Sequence, residues 1–288
     1  MLIGCFVENN EKNKYLEGSF LQAKECNADC FMFYLGAPQT SIRKPIEQLN
    51  VEKFKILMEK DNFNFDKVFV HAPYILNLAT NEEEIQKFII DFLIKECKRV
   101  SQIGCKYLIV HPGNAVKNMD VNQAILNCAN IINSVIEKNN DVCICIETMS
   151  GKGSEIGRNF SQISQIIKLV KQKDKIGVCL DTCHIWDSGY DLSNPEFIIE
   201  EFEKEIGIFF LKLIHFNDSK NVCGSFKDRH ENIGYGKIGF SILIDFAFHP
   251  KFSNICKVLE TPIYDNLIFT YKNEILNIKN NSFNDWRK

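Results

Sequence analysis

The feature that most constrains the fold is a regular alternation of short apolar runs with longer amphipathic stretches. The runs are rich in Val, Ile, Leu, Phe and Cys, and they lie at residues 2–7, 30–35, 67–71, 107–111, 143–147, 176–181, 211–215 and 256–260. Short apolar runs of this kind indicate strands that are buried on both faces of a parallel sheet. Between them, apolar residues recur at helical spacing, most clearly over residues 82–100, 122–138 and 161–171.

Eight such strands alternating with helices in 288 residues predict an α/β fold, a single (β/α)₈ TIM barrel that spans residues 1–288 as one domain. The alternative is an open, doubly wound sheet. That fold usually carries a Gly-rich phosphate-binding turn after its first strand, and no such turn follows Val7. We therefore favour the closed barrel.

Composition limits the class of protein and its compartment. The formal net charge is −3, which argues against a generally basic, nucleic-acid-coating surface. The start of the chain has no basic segment before its apolar run, and no stretch approaches the ~18 apolar residues of a membrane span, so we expect neither a secretory leader nor a membrane anchor. The 12 cysteines contain no CxxC pair, which favours free thiols in a reducing, cytoplasmic environment.

Metal-binding side chains stand at the ends of six of the eight predicted strands. Catalytic groups of TIM barrels lie at this end of the strands. Burying three histidines and three carboxylates together without a cation would be costly, so the pattern indicates a metal site rather than packing. The six residues are His71, His111, Glu147, Asp181, His215 and Glu260.

A second group of potential ligands follows the sixth and seventh strands. His184 lies just beyond the sixth strand, and Asp228 and His230 lie two residues apart in the loop after the seventh. If that loop segment is extended, the last two side chains point the same way. Two histidines and a carboxylate with an open position form a typical catalytic zinc site.

The alternation of side chains along a strand provides a check on this interpretation. The residues two positions before the six strand-end ligands should also face the barrel interior. All six are apolar or small, as expected for a packed layer beneath a metal site: Phe69, Ile109, Cys145, Cys179, Leu213 and Val258. By the same reasoning, we interpret Cys143, Cys145 and Cys179 as buried fillers, and leave Cys183 open because it is nearer the site.

Four segments then carry a resemblance to a known family. They read ETMSGKGSEIG at 147–157, GVCLDTCH at 177–184 (continued by SGYD at 188–191), HFNDSK at 215–220 and KDRHENIG at 227–234. In this order, over essentially the whole chain, they resemble the endonuclease IV family of apurinic/apyrimidinic endonucleases.

The resemblance implies three Zn²⁺ per chain, which Mn²⁺ or Fe²⁺ could replace. One zinc would be held by His71, His111 and Glu147, and Glu147 would bridge to a second. The second would also be held by Asp181, His215 and Glu260, and the third by His184, Asp228 and His230. All nine ligands of the family are present. Three Zn²⁺ would add six positive charges to the acidic chain, at the place where a phosphate must bind.

The activity implied is that of a hydrolase of the deoxyribonuclease IV (phage-T4-induced) type, with Glu147 as the catalytic residue. It would cleave the phosphodiester bond 5′ to an abasic site in double-stranded DNA, giving a 3′-hydroxyl and a 5′-deoxyribose phosphate, and would remove 3′-blocking groups. We expect a monomer with no membrane partner.

The resemblance also suggests which residues contact DNA. An abasic site has no base to read, so recognition must rely on the backbone and on deformation of the duplex. Tyr74 and Ile75, after the third strand, would enter the duplex as a wedge. Some family members have Arg where this chain has Gln39, so either Gln39 or Arg43 would act at the lesion. Basic residues of the same loops would contact phosphates: Lys152, Arg158, Lys220 and Arg229.

Two other functions remain open at this stage. A sugar isomerase or epimerase of the xylose-isomerase-like type would use one divalent ion, held by a set such as Glu147, Asp181, His215 and Glu260. It would not need the remaining ligands. A non-catalytic binder of damaged DNA would have little use for open metal positions.

Overall fold

The computed structural model describes residues 1–139 and 141–288, and parallel strands form a closed barrel at its centre. Neighbouring strands follow the chain order, and the first strand pairs with both the second and the last, which closes the sheet. The predicted TIM barrel is therefore confirmed. The barrel strands are β1 (Leu2–Phe6), β2 (Phe31–Tyr34), β3 (Val68–His71), β4 (Tyr107–Val110), β5 (Cys143–Glu147), β6 (Ile176–Asp181), β7 (Leu211–His215) and β10 (Cys256–Leu259).

Helices surround the barrel over the described part of the chain. They are α1 (Leu16–Glu25), α2 (Val51–Lys60), α3 (Glu83–Ile103), α4 (Val121–Glu137), α5 (Phe160–Leu169), α6 (Thr182–Ser188), α7 (Pro195–Glu205), α8 (Phe240–Ala247) and α9 (Leu267–Lys279). Short 3₁₀ turns lie at Ile46–Gln48, Phe65–Lys67, Lys173–Lys175, Ile208–Phe210 and Pro250–Phe252. None of the helices in residues 1–139 and 141–288 has the length and apolar character that a membrane span requires.

The three helices expected from periodicity are present, with ends shifted by one to three residues. Local chemistry sets these ends. The Asp120 carboxylate accepts a hydrogen bond from the backbone N–H of Asn122 at the start of α4. Helix α3 extends beyond its predicted end to Ile103. The next residue, Gly104, has a φ of 97°, and this left-handed conformation terminates the helix.

The barrel interior contains the apolar layer that the alternation predicted. Phe69, Ile109, Cys145, Cys179, Leu213 and Val258 belong to one buried cluster inside the barrel, together with Cys30, Met32 and Cys256. The larger core lies between the outside of the sheet and the helices. The cysteine residues inside the barrel therefore act as small packed side chains, and all 12 cysteines of the chain are free thiols.

Strand register places Asp181 directly beside His215. Elsewhere the ligands are staggered: His71 pairs with Ile109, Glu147 with Cys179 and His215 with Val258, each two residues before the next ligand. Helix α6 follows β6 directly. The connection after β7 contains a small antiparallel ladder of β8 (Asp218–Ser219) and β9 (His230–Glu231). The ladder holds the loop that contains Asp228 at its base.

Candidate metal centre

Glu147 occupies the middle of the site at the end of β5. Its side chain is almost completely buried. Its Oε2 atom lies 3.0 Å from His71 Nε2 and 3.1 Å from His111 Nε2, and its Oε1 atom lies 2.9 Å from His215 Nδ1. The two oxygens of one carboxylate therefore face two different groups of ligands, which is the arrangement that a carboxylate bridging two metal ions requires.

His215 forms the centre of the second group. Its Nδ1 atom lies 2.9 Å from Glu260 Oε2 and 3.8 Å from Asp181 Oδ2. The ligand atoms of Glu147, Asp181, His215 and Glu260 all lie within 4.8 Å of one another, as do those of the first group, His71, His111 and Glu147. The structure thus brings together both of the sets that the resemblance implied.

The third group assembles on α6 and on the loop after β7. Asp228 Oδ1 lies 3.1 Å from His184 Nε2 and 3.5 Å from His230 Nε2. The expectation of an extended segment is wrong at Asp228, whose φ of 58° is left-handed. The loop instead curls so that both side chains still meet.

Asp181 and Cys183 extend the third group in a way that spacing along the chain did not indicate. Asp181 Oδ2 lies 3.7 Å from His230 Nε2, so this carboxylate lies between the second and third groups. Cys183 is also within ligand distance of Asp228 and His230. However, burial and nearby Asp181 raise the pKa of the Cys183 thiol far above its ordinary value, which disfavours the thiolate form that binds metals.

The outer nitrogens of three histidines show that the residues fit metal ions. Nδ1 of His71 lies 2.6 Å from the carbonyl oxygen of Ala72, and Nδ1 of His184 lies 2.7 Å from that of Thr148. Nδ1 of His230 lies 3.2 Å from the carbonyl oxygen of Glu260. A carbonyl only accepts, so each Nδ1 carries the proton and each Nε2 directs a lone pair into the site.

His230 adds a second indication of a missing cation. Its Nε2 atom is buried and has no hydrogen-bond partner among the described residues. Buried polar atoms are almost always satisfied, so an atom of this kind calls for an explanation. A metal ion at the third group would satisfy it.

The electrostatics of the site also fit a cation. Burial opposes charge on Glu147, but His215 and His111 hold its pKa well below the ordinary value. Burial likewise opposes charge on His184, yet Asp181 and Asp228 raise its pKa well above the usual range. Carboxylates and imidazoles therefore stabilise one another as ion pairs. Metal ions would take the place of the histidine protons.

Neighbouring residues orient the carboxylates, and the sequence interpretation missed them. The Asn217 side-chain amide donates to Asp181 Oδ2 over 2.8 Å, and its carbonyl oxygen accepts from the Glu260 backbone N–H over 2.8 Å. The Thr148 hydroxyl oxygen accepts from the Asp181 backbone N–H over 2.9 Å. Both residues lie within two positions of a predicted ligand, which is the one signal that pointed to them.

Of the six histidines in the chain, only His249 lies apart from this site. Its Nε2 atom is 2.9 Å from Glu196 Oε1 on α7. Its Nδ1 atom accepts from the backbone N–H of Lys251 at a 3₁₀ turn. His249 is therefore a structural residue.

A cleft of about 470 Å³ reaches the first and third groups of candidate ligands. Its lining includes His111 and Asp228 from the first and third groups, and Lys152 and Arg229 from the loops. Tyr74 also lines it and is 51% exposed. The cleft thus combines the candidate ligands with two exposed cations.

The other predicted DNA-contact residues lie around this cleft or on nearby loops. Ile75 is half exposed beside Tyr74, and the Tyr74 backbone N–H donates to the carbonyl of Pro38, which places the exposed Gln39 next to it. Arg158 lines an adjacent cavity of about 570 Å³ with Lys117. Lys220 is exposed at the end of β8, where its backbone N–H donates to the Arg229 carbonyl.

Arg43 does not take the position expected of a DNA-contact residue. Its side chain is only 3% exposed, and its Nε donates to the buried carboxylate of Glu96 over 2.7 Å. Its Nη1 donates to the carbonyls of Thr40 and Ile42, and its guanidinium lies over the Phe92 ring. The expectation for Arg43 is therefore corrected: a buried ion pair holds the charge inside the protein, away from any phosphate.

Comparisons with known proteins agree with this architecture. The family described as "Xylose isomerase-like TIM barrel" matches residues 20–280. The chain is 45% identical to the "Probable endonuclease 4" of Malacoplasma penetrans, over 100% of this chain and 98% of that protein. It is 43% identical to the protein of the same name in Ureaplasma parvum, over 97% of this chain and 93% of the other.

Solved structures with the same fold include both nucleases and sugar enzymes. Endonuclease IV from Thermus thermophilus matches with a TM-score of 0.80 and 22% identity, over 91% of this chain and 93% of that one. A D-tagatose 3-epimerase-like protein matches with a TM-score of 0.70 and 19% identity, over 97% of each chain. At these identities the structural matches establish the shared barrel and nothing finer.

Proposed function

Because the chain belongs to the endonuclease IV family, we propose that it is a DNA repair endonuclease that cleaves duplex DNA at abasic sites. The bond hydrolysed would be the phosphodiester 5′ to the lesion, which leaves a 3′-hydroxyl and a 5′-deoxyribose phosphate. The observation that carries the proposal is that the candidate ligands assemble into adjoining groups and that an open cleft reaches two of these groups, at His111 and Asp228. Full-length relatives named endonuclease 4 support it further.

The residues in place suit three Zn²⁺ ions, with Mn²⁺ or Fe²⁺ as possible replacements. Histidine nitrogens and carboxylate oxygens are the ligands that zinc takes in catalytic sites. The first group would be His71, His111 and Glu147, with Glu147 shared. The second would add Asp181, His215 and Glu260, and the third would be His184, Asp228 and His230. When bound, such ions lower the pKa of water to about 7 and neutralise charge on a phosphoryl group.

The protein's own residues would position the substrate around these ions. Lys152 and Arg229, both exposed and both lining the cleft, supply positive charge for the phosphates that flank the lesion. Arg158 and Lys220 would extend this contact along the backbone. Glu147 would be the catalytic residue, because its two oxygens face both of the first two ligand groups.

Recognition of the lesion would depend on the loops after β2 and β3. Tyr74 lines the cleft and Ile75 follows it on the same loop, and both are half exposed. Side chains of this kind can enter a duplex and kink it. Gln39 is exposed on the adjoining loop, whereas Arg43 is buried. We therefore assign the second contact at the lesion to Gln39.

Finer properties follow from the same proposal. The enzyme would have the specificity of the deoxyribonuclease IV (phage-T4-induced) type. It would also remove 3′-blocking groups, because a blocked strand end presents the same bond between the 3′ oxygen and phosphorus that is cleaved at an abasic site. We propose that residues 1–288 act as one domain and as a monomer. Twelve free thiols favour a reducing intracellular compartment, where disulfides are rare.

The sugar epimerase is the main competing function, because the fold is shared with that class of enzyme. Glu147, Asp181, His215 and Glu260 would suffice for its single metal ion. The additional ligands of the first and third groups have no role in such a reaction. A non-catalytic binder of damaged DNA would have little use for these groups of candidate metal ligands.

The deciding experiment combines metal analysis with an incision assay. The purified protein is expected to contain about three zinc ions and to nick a duplex carrying one abasic analogue. A polymerase should then extend the 3′ end at the nick. Chelation should abolish nicking and zinc should restore it, whereas an undamaged duplex of the same sequence should stay intact. A protein that contains one metal ion, epimerises a ketohexose and does not nick the duplex would overturn the proposal.

A further inference from the structure

Asp187 is a buried carboxylate that none of the three ligand groups contains. It lies on the short helix α6, three residues after His184, and is completely inaccessible to solvent. A carboxylate this deep is costly unless its oxygens are hydrogen-bonded. The partners that satisfy it identify what it holds in place.

Within the described residues, the carboxylate of Asp187 takes its hydrogen bonds from the connection after β7. Its Oδ2 accepts from the backbone N–H of Asp228 over 2.8 Å and from the Asn221 amide over 3.1 Å. Its Oδ1 accepts from the Ser219 hydroxyl over 2.7 Å. Its backbone carbonyl accepts from the Phe226 N–H over 2.9 Å. One residue of α6 therefore holds both ends of the loop segment 219–228.

The backbone held by Asp187 is strained. Phe226 and Asp228 have φ angles of 54° and 58°, in the left-handed region that non-glycine residues rarely adopt. Such conformations persist only where the surroundings impose them, and they concentrate at functional sites. The backbone N–H groups of both residues donate to Asp187. Asp187 therefore imposes the curl of this loop, which was expected from the sequence to be extended.

The curl decides where the Asp228 carboxylate points. Asp228 Oδ1 lies 3.1 Å from His184 Nε2, and His184 lies on the same helix as Asp187. We infer that Asp187 is a positioning residue for the third metal group, which sets Asp228 against His184 by holding its backbone. The inference rests on the proposed function, because it assumes that His184, Asp228 and His230 bind a metal ion.

His230 is held by different contacts, which makes the effect of Asp187 selective. His230 lies in β9, where it pairs in register with Ser219 of β8, and Lys220 continues this pairing through the Arg229 carbonyl. The first two ligand groups lie at the ends of the barrel strands, and the Asp187 carboxylate bonds to Ser219, Asn221 and Asp228, none of which belongs to those groups. Loss of the Asp187 carboxylate should therefore release Asp228 more than any other ligand, because the pairing of His230 with Ser219 does not use the Ser219 hydroxyl.

The test compares Asp187→Ala with Asp187→Asn. Alanine removes both carboxylate oxygens that accept hydrogen bonds from the loop. Asparagine keeps one oxygen for the two N–H donors and can direct its amide toward the Ser219 hydroxyl. In Asp187→Ala we expect one zinc to dissociate about 10- to 100-fold faster into a chromophoric chelator, in line with losses seen for groups that orient metal ligands. Asp187→Asn should restore most of the wild-type rate.

Two further variants separate positioning from a loss of stability. Asp120→Ala removes the carboxylate that caps α4, far along the chain from the loop, and should lower the thermal midpoint without changing zinc release. Asp228→Ala should lose one zinc directly, and the double variant Asp187→Ala/Asp228→Ala should lose no more. Should Asp187→Ala fail to fold, Ser219→Ala removes one donor to Asp187 and should give a smaller change in the same direction.

The outcomes distinguish failure of this inference from failure of the proposed function. Wild-type protein that binds fewer than three metal ions after loading with zinc would overturn the metal assignment itself. A different result would overturn the positioning role alone. The wild-type protein would contain three zinc ions, and Asp187→Ala would also keep all three and release them at the wild-type rate. An equal increase in the rate of zinc release in Asp187→Ala and Asp187→Asn would also count against the positioning role.

Discussion

The same strands build two layers inside the barrel, two residues apart, with opposite physical character. The lower layer contains Phe69, Ile109, Cys145, Cys179, Leu213 and Val258. The upper layer contains His71, His111, Glu147, Asp181, His215 and Glu260, with both layers facing the barrel axis. Burial of the lower layer stabilises the fold through the hydrophobic effect and close packing. Burial of the upper layer is unfavourable unless the charges are paired.

The difference shows how a TIM barrel separates stability from function. The lower layer is enclosed on all sides by the sheet and needs no partner from outside. The upper layer lies at the strand ends, where loops leave a cleft open to solvent. Changes in one layer should therefore affect mainly stability, and changes in the other mainly metal binding and activity. Four predictions test this separation.

The largest effect is expected for Glu147→Gln in the upper layer. The amide keeps the size of the side chain but loses the charge that faces two ligand groups. We expect turnover on a duplex with one abasic analogue to fall by about 10³-fold, or ~4 kcal/mol of transition-state stabilisation, while the protein stays folded by circular dichroism.

Glu137→Gln is the matched control for that variant. Glu137 ends α4 and pairs with Lys171 at the surface, so the same substitution there should leave turnover unchanged. Near-normal turnover by fully metallated Glu147→Gln would exclude the catalytic role of Glu147.

The second prediction concerns Leu213→Ala in the lower layer. Truncating this fully buried side chain leaves a cavity and should lower the free energy of unfolding by about 2–5 kcal/mol. Metal content and turnover per folded molecule should stay within about twofold of wild type, which chemical denaturation and steady-state assays would measure.

The same substitution at the surface calibrates the result. Leu276 on α9 is 53% exposed, so Leu276→Ala should change the free energy of unfolding by less than about 0.5 kcal/mol. Loss of zinc in Leu213→Ala at a temperature where it is folded would show that the layers are coupled.

The third prediction is a pH dependence that only the metal-free protein should show, and it concerns His215 of the upper layer and His184 just beyond it. Burial opposes charge on both histidines, but Asp181 and Asp228 raise the folded-state pKa of His184 well above 6.5, and Cys179, Glu260 and Glu147 raise that of His215 likewise. Their contribution to stability is complete below pH 6.5 and is lost as pH rises through the folded-state values. The thermal midpoint of the metal-free protein should therefore fall by about 5 °C between pH 6.5 and 9.

Metal-loaded protein is the control, because the ions replace the histidine protons. Comparing the two forms also cancels the contribution of Glu274 to the pH dependence of stability, because burial raises its pKa to about 7 in both forms. A metal-free midpoint that stays constant over this pH range, or that rises with pH, would contradict the charge pairing described for the site.

The smallest effect is expected above both layers, at Tyr74. The ring is half exposed, so Tyr74→Ala should leave the thermal midpoint unchanged. We expect incision of the abasic duplex to weaken by about tenfold, since a stacking aromatic contributes ~1–3 kcal/mol to binding. The measurement is incision at subsaturating substrate.

Phe209→Ala tests the specificity of the Tyr74 effect. Phe209 is 70% exposed and precedes β7, at the opposite end of the strand from the ligands. Its truncation should not affect incision. Equal incision by Tyr74→Ala and wild-type protein would rule out the wedge.

Much of this architecture was predictable because it depends on local periodicity. Alternation along a strand places residues two apart on the same side, so His71 and Phe69 had to face the same way once the strand was recognised. The ends of helices were less predictable. Helix α3 continues three residues beyond its predicted end, to Ile103, because the left-handed residue that terminates it is Gly104.

Other features depended on contacts between segments far apart in the chain. The sequence suggested that Arg43 is an exposed loop cation, but its side chain forms a buried ion pair with Glu96, which lies 53 residues later in the chain. Asp187 lay between two motifs without any sign of its role, which becomes visible only when the loop after β7 folds back onto α6.

The sequence alone determined which side chains point into the barrel, because a period of two residues is a property of the strand itself. The identity of six of the nine candidate ligands follows from that period and from their position at strand ends, whereas His184, Asp228 and His230 lie on α6 and in the connection after β7. Only the tertiary structure decided how they group: Glu147 faces two sets, Asp181 lies between two sets, and Asp228 turns toward His184 through a strained loop. Grouping depends on distances between strands and loops across the barrel, and these distances are set by packing and hydrogen bonds that no local pattern encodes.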